Sequence, residues 1–154
     1  MNIPELLTEQ GVHIQKLSYS CGPCSILNVL HIKGDFSQTE EGLTELCQAL
    51  PGKGSKRDKV VSACQSVGLE VLESREGGVV EDIEGHLDAG AYVIVNYYHA
   101  FNGDGHYSVI TDYDDRAVYI MDCSLGLIRL LKEDFAKYWY NSDKTVFGWY
   151  VAVK

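Results

Sequence analysis

The sequence predicts an α+β domain in which a helical first half packs on a mostly antiparallel sheet drawn from the second. Two observations carry this reading. Apolar residues recur at helical spacing as far as about residue 90, and β-branched and aromatic runs separated by turn residues follow it. A third is negative: helices and strands segregate along the chain and do not alternate as βαβ units. With 154 residues, 45% of them hydrophobic, there is material for one sizeable core, so a single domain over residues 1–154 is expected.

Between Cys24 and Lys33, Ile26, Leu27 and Leu30 stand at helical spacing just after Pro23, and Gly34 offers a C-terminal cap. Cys21 therefore falls at the N-terminal edge of that helix. Ser37 with Glu40 three residues later reads as a capping box, opening a helix with Leu43, Leu46 and Leu50 before Pro51. A third helix, from about Ser55 to Val67, turns Val60, Val61 and Cys64 inward and ends at Gly68. Leu69 to Glu73 reads as a strand, Gly77-Gly78 as a turn, and Val80 to Ala89 as a short helix closed by Gly90.

The remaining strands are Ala91 to Tyr98, Tyr107 to Thr111, Ala117 to Met121, Leu127 to Leu131 and Val146 to Val153. NGDG (102–105) and YDDR (113–116) form loops between them, and a short helix runs from Lys132 to about Trp139.

The net charge of -9 gives no electrostatic support to nucleic-acid binding, which needs clustered Lys and Arg to neutralise phosphate. The N-terminus has no basic n-region followed by an apolar stretch, and no run approaches the roughly 18 apolar residues of a spanning helix. Five cysteines, an odd number, fit reduced thiols in a cytoplasmic compartment better than a disulfide scaffold. No phosphate-binding Gly-rich loop occurs, and no cofactor or metal is expected.

A thiol becomes a useful nucleophile when its thiolate is stabilised, and a helix N-terminus supplies unpaired N–H groups at the place predicted for Cys21. An imidazolium beside it lowers the thiol pKa further, and a carboxylate on the far ring nitrogen fixes the imidazole. His106 at the start of one strand and Asp122 at the end of the next are brought side by side by a hairpin through YDDR. Gln15, six residues before Cys21, is placed to donate its amide N–H, together with the N–H of Cys21, to the oxyanion formed when a thiolate attacks a carbonyl.

In these residues the sequence resembles the bacteriocin-processing, double-glycine leader peptidases of the papain-like clan, which also occur as domains of peptide exporters. The matching positions are Gln15, Cys21-Gly22, Ser25, Gly34, GHYSVITDY from Gly105 and YIMDCSLG from Tyr119, with HLDAGAYVIVNYY and LKEDFAKYW around them. The resemblance implies a papain-like fold and cysteine peptidase activity on a peptide or protein substrate, with cleavage after glycine as the family habit. Cys21, His106 and Asp122 would form its triad, and Gln15 would serve the oxyanion. Two positions depart from the family: Ser20 stands where exporter peptidases commonly have Asp, and Cys123 where Pro usually follows the catalytic Asp. Both bear on substrate choice more than on the triad. Without a membrane segment or an ATP-binding loop, the chain resembles the stand-alone branch.

Other readings stay open at this level. Cys21-Gly22-Pro23-Cys24 is letter for letter the thioredoxin dithiol, although no strongly apolar strand precedes it and no Pro follows Pro51. Cys21 and Cys24 have zinc-ligand spacing, with Cys123, His106 or His13 to complete a set. An amine or thiol acceptor in place of water would make the same site an acyltransferase, and a silent peptide-binding module would keep only the fold. His13, His31, His86 and His99 read as surface or loop residues, and Cys24, Cys47 and Cys64 as small hydrophobes of the core. A reversible Cys21-Cys24 disulfide is a further regulatory expectation. Tyr97, Tyr98, Trp139, Tyr140 and Trp149 read as sheet packing, some of them lining a cleft.

Overall fold

A computed structural model describes residues 4–99 and 103–154. The predicted NGDG loop therefore lies partly outside the described residues. The first element is a strand absent from the sequence reading, β1 (Glu5–Thr8), a short exposed edge whose only support is its pairing with a later strand. Four mostly exposed residues carry too little pattern to announce a strand.

Helix α1 (Cys21–Ile32) begins three residues earlier than predicted, and its residues from Cys21 to Leu30 are all buried. Pro23 is tolerated because it lies in the first turn, where the backbone N–H has no intrahelical acceptor. The far end closes as a Schellman motif: Gly34 sits at φ 81°, with Gly34 N donating to His31 O and Asp35 N to Leu30 O.

Helix α2 (Glu40–Leu46) is capped by Thr39, whose side chain accepts from Gly42 N at 3.1 Å. The expected Ser37–Glu40 capping box does not form. Ser37 bonds to Asp35, and the Glu40 carboxylate turns inward to partners described below. The helix also stops before Leu50, which lies in a turn with Gly54. Helix α3 (Arg57–Ser66) buries Val60 and Cys64 as predicted, and Ala63 besides, while Val61 is only half-buried.

After β2 (Val71–Arg75) and α4 (Val80–Asp88) come β3 (Tyr92–His99), β4 (Asp104–Tyr113), β5 (Ala117–Asp122), β6 (Gly126–Leu131), α5 (Lys132–Lys137) and β7 (Tyr150–Val153). The strands form one antiparallel sheet in the order β1-β6-β5-β4-β3-β7-β2.

Helices cover both faces of this sheet, so the predicted two-layer picture gains a third layer. On one face Ile26, Leu27, Val60 and Cys64 pack with Ile94, Tyr107, Val109 and Val151. On the other, Ile83 of α4 and Phe135 of α5 pack with Val95, Tyr97, Ile110 and Ile120. Double coverage is why β3, YVIVNYYH, is a nearly continuous apolar run with no polar face.

The predicted turn at Gly77-Gly78 is also a contact. Gly78 N donates to Gly148 O, and the two backbones approach so closely that a Cβ on Gly148, at φ 65°, would lie 2.6 Å from Gly78 N and O. Only glycine fits, and the same residue keeps the predicted strand from Val146 from starting before Tyr150.

Candidate active site

Cys21 is the first residue of α1 and is nearly covered. Burial pulls its thiol pKa up, but the His106 hydrogen bond and charge, with the N–H groups of Tyr107 and Gly22, bring it below its ordinary value of 9.0. The fold thus favours a thiolate at this one cysteine. Cys47 and Cys64, buried without such partners, are each pushed up to about 12. Burial raises Cys123 as well.

His106 pairs with Tyr97 across β3 and β4 and, by strand alternation, shares the face of Ser108 and Ile110. The β4–β5 register sets Val109 opposite Met121, so Asp122, the last residue of β5, falls level with Ser108. His106 sits just past the end of that neighbouring strand, where its ring reaches Cys21. Its Nε2 lies 3.3 Å from Asp122 Oδ2, which leaves the other ring nitrogen for Cys21. Burial depresses the imidazole pKa, but Asp122 and Cys21 overcome this and push it up to about 10.

Asp122 is completely buried and held ionised by an array of donors. Burial opposes its charge, yet the bond and charge of His106, the nearby charge of His99 and the Ser124 N–H hold it well below the usual carboxylate range. Tyr97 Oη and Ser108 Oγ donate to Oδ2 at 2.9 and 3.1 Å, and Ser124 N and Leu125 N to Oδ1 at 2.8 and 3.1 Å. Its position at a strand end, where the following turn presents free N–H groups, is what allows this.

Gln15 lies on the segment leading into α1. Its backbone N–H donates to Cys123 O at 2.9 Å, and its side-chain Nε2 donates one hydrogen to Leu17 O at 2.7 Å, leaving the second N–H uncommitted. Gln15, Cys21 and His106 share the wall of a cavity of about 540 Å³ with Leu17, Cys123 and Ser124. A second cavity of about 500 Å³, walled by Ser55, Arg57, Asn96, Tyr107 and Asn141 among others, opens on the other side of Cys21. The thiol therefore sits between two concavities, as a nucleophile attacking the middle of an extended chain requires.

The four predicted site residues thus come together. Of the histidines read as surface or loop residues, His99 does not fit that reading, while His13 is a half-buried loop residue. His99, 3% exposed at the end of β3, has Nε2 3.6 Å from Asp122 Oδ2 and its ring 4.8 Å from that of His106. Extending the predicted strand by one residue would have put it on the inward side with Tyr97. His13 Nε2 lies 2.7 Å from the buried Glu40 carboxylate. His31, stacked on the exposed Phe36, is at the surface as expected.

The zinc set left open around Cys21 and Cys24 is not assembled among the described residues, because Cys24 turns toward His13 and Glu40 while Cys21 faces His106. Two other groups bring three potential ligands together, His13–Cys24–Glu40 and His99–His106–Asp122, and in both the carboxylate already accepts several N–H and O–H donors. That array suits an anion and leaves little room for a cation. All five cysteines are free thiols.

A helix presenting a thiol against an antiparallel sheet that carries an imidazole and a carboxylate defines a papain-like thiol hydrolase, and excludes the thioredoxin fold that the dithiol motif suggested. Comparison with known proteins gives the family. Residues 10–143 match the peptidase C39 family, and the chain belongs to that family of cysteine peptidases. It is 33% identical over 132 residues to an uncharacterised protein of Methanothermobacter thermautotrophicus, covering 85% of this chain and 84% of that one. The peptidase domain of Streptococcus ComA, a bi-functional ABC transporter involved in quorum sensing, superposes with a TM-score of 0.68 at 18% identity, over 92% of this chain and 94% of that one. A double-glycine motif protease from an AMS/PCAT transporter, solved with its leader peptide, gives 0.59 at 18% identity, over 98% and 96%. Among the described residues no helix is long and apolar enough to cross a membrane.

Proposed function

We propose that the chain hydrolyses peptide bonds at Cys21, with His106 as its base and acid, Asp122 as the residue that orients and charges His106, and Gln15 as an oxyanion donor. The observation that supports this most directly is the continuity of the buried line Asp122–His106–Cys21, with Nε2 at 3.3 Å from Oδ2 and the thiol pKa drawn down by the imidazole.

In the resting pair the proton sits on His106 and the negative charge on Cys21. The thiolate attacks the carbonyl carbon, and the carbonyl electron pair moves to oxygen, where the free N–H of Gln15 and the N–H of Cys21 meet it. The intermediate collapses, His106 gives its proton to the departing amine, and a thioester remains on Cys21. Water, deprotonated by His106, then releases the acid and restores the thiol pair.

The substrate class we propose is a peptide with glycine at the cleavage point, lying through both cavities. Its support is the family and the AMS/PCAT relative, which is a double-glycine motif protease. The test has two parts. Iodoacetamide should label Cys21 rapidly at a pH well below the ~8.5 of a free thiol, and His106→Ala should remove that speed. Peptides with a Gly-Gly pair should then be cut after the second glycine, and peptides with Ala-Ala should not. Fast labelling that survives His106→Ala would overturn the triad; equal cleavage of both peptides would overturn the glycine requirement.

A further inference from the structure

We infer that Glu40 is a positioning residue for the peptidase reaction, anchoring the segment that carries Gln15 so that the Gln15 amide is held beside Cys21. The inference rests on the oxyanion role proposed for Gln15. Glu40 belongs to α2 and lines neither cavity beside Cys21, so it acts only through what it holds.

It holds a great deal. Glu40 is 3% exposed, and its Oε1 accepts from His13 Nε2 at 2.7 Å and Lys16 N at 3.2 Å. Its Oε2 accepts from Lys16 N at 3.0 Å and Ser20 Oγ at 2.9 Å. The Cys24 thiol lies within 4.8 Å of this carboxylate. His13 and Lys16 flank Gln15 in the chain, and Ser20 directly precedes the nucleophile. One side chain thus ties the oxyanion donor's segment to the start of the catalytic helix.

The opposite side of the segment is tied to α1 by Asn28, which exchanges bonds with the His13 backbone at 2.8 and 3.2 Å. Gln15 N–H itself is fixed on Cys123 O. Of these anchors, only that of Glu40 is ionic, and hydrogen bonds to a buried charge are the strong ones. Burial alone would raise its pKa, but the bonds from His13, Lys16 and Ser20, with Cys24 beside them, keep it below the usual glutamate value, so the anchor persists across neutral pH.

The departure at position 20 fits the same picture. Ser20 carries no carboxylate, and its hydroxyl donates instead to the one supplied from α2.

Two probes of Cys21 separate this role from a general loss of structure. Iodoacetamide alkylates the thiolate by expelling iodide and develops no oxyanion. The peptide aldehyde acetyl-Leu-Gly-glycinal adds its carbonyl carbon to Cys21 Sγ, moving the carbonyl pair onto oxygen with no leaving group. Its affinity, read as protection of Cys21 against iodoacetamide, therefore reports the oxyanion donors.

Glu40→Gln should leave the alkylation rate within about twofold of wild type while weakening aldehyde protection by some 10- to 100-fold, the scale of a misplaced oxyanion donor. In the Gln15→Ala background, Glu40→Gln should weaken protection no further. Losses that multiply in the double variant, or unchanged protection in the single one, would overturn the role of Glu40.

If Glu40→Gln melts below the assay temperature, Ser20→Ala keeps the carboxylate and removes one donor, and a smaller loss of protection in the same direction is expected. No loss there would equally overturn it. Absence of His106-dependent aldehyde protection in the unaltered protein would instead overturn the peptidase-site assignment, and the role of Glu40 with it.

Discussion

Replacing Asp122 by Asn tests the charge that the site is built around. Four donors besides His106 converge on the carboxylate, and the Asn side chain keeps one oxygen for Ser124 N and Leu125 N. Its NH2 then falls near Oδ2, where the Tyr97 and Ser108 hydroxyls can rotate to accept but a protonated His106 ring cannot. The imidazolium loses its counter-charge. His106 stands at about 10 against an ordinary 6.5, which at 1.36 kcal/mol for each tenfold change in proton affinity is roughly 5 kcal/mol of preference for the charged ring. Asp122 and the Cys21 thiolate supply that preference jointly. If half belongs to Asp122, its loss costs about 2–3 kcal/mol, or some 60-fold in the population of the thiolate–imidazolium pair.

Two shifts should follow, in opposite directions along the pH axis. The iodoacetamide rate of Cys21 at pH 6–7 should fall by some 60-fold, within a factor of three, as its midpoint climbs toward 9.0. The alkaline fall of peptide hydrolysis, which needs a protonated His106, should move from about 10 toward neutrality. The assay is alkylation followed by intact mass at each pH, with a far-UV melt confirming that the variant is folded. An Asn variant with both limbs in place would show that Asp122 is only a structural acceptor and would refute the reasoning.

Stability should carry the same signature in acid. Because Asp122 titrates well below its ordinary 3.8 when folded, its contribution is complete above that value and is lost as pH falls below it, so the acid-side slope of melting temperature should be shallower in Asp122→Asn. Gln15→Ala should reduce kcat for a Gly-Gly peptide by roughly 100- to 1000-fold while leaving iodoacetamide labelling of Cys21 unchanged. Gly148→Ala forces a Cβ to within 2.6 Å of the Gly78 backbone and should lower the unfolding free energy from urea titration by at least about 2 kcal/mol; an unchanged value would mean that the two segments separate freely. Leu27→Ala, on the fully buried face of α1, should cost about 2–5 kcal/mol by denaturant titration and loosen the helix that presents Cys21.

The local features were legible because short-range chemistry writes them. Pro23 and Gly34 bracket α1, apolar spacing marks α3, and β-branched runs mark β3 to β6, since each reflects a residue's own backbone preference or a period of two or 3.6. The order Gln15, Cys21, His106, Asp122 stood out for a related reason: a thiol nucleophile calls for a base, an orienting carboxylate and an oxyanion donor, and the chain offers a residue suited to each of these proposed roles.

What depended on distant partners was not legible. Glu40 has the sequence position of a capping residue, yet its carboxylate is drawn inward by His13, Lys16 and Ser20, groups at least twenty residues away that only the packing of α2 on the preceding segment brings near. His99 joined Asp122, and Gly148 met Gly78, through a sheet order that sets β3 between β4 and β7. β1 exists only because β6 offers it an edge. The sequence by itself determined where helices and strands could form and which groups were candidates for the chemistry. Tertiary structure alone decided which buried charges faced one another, because burial and pairing energies arise between residues that no local period connects.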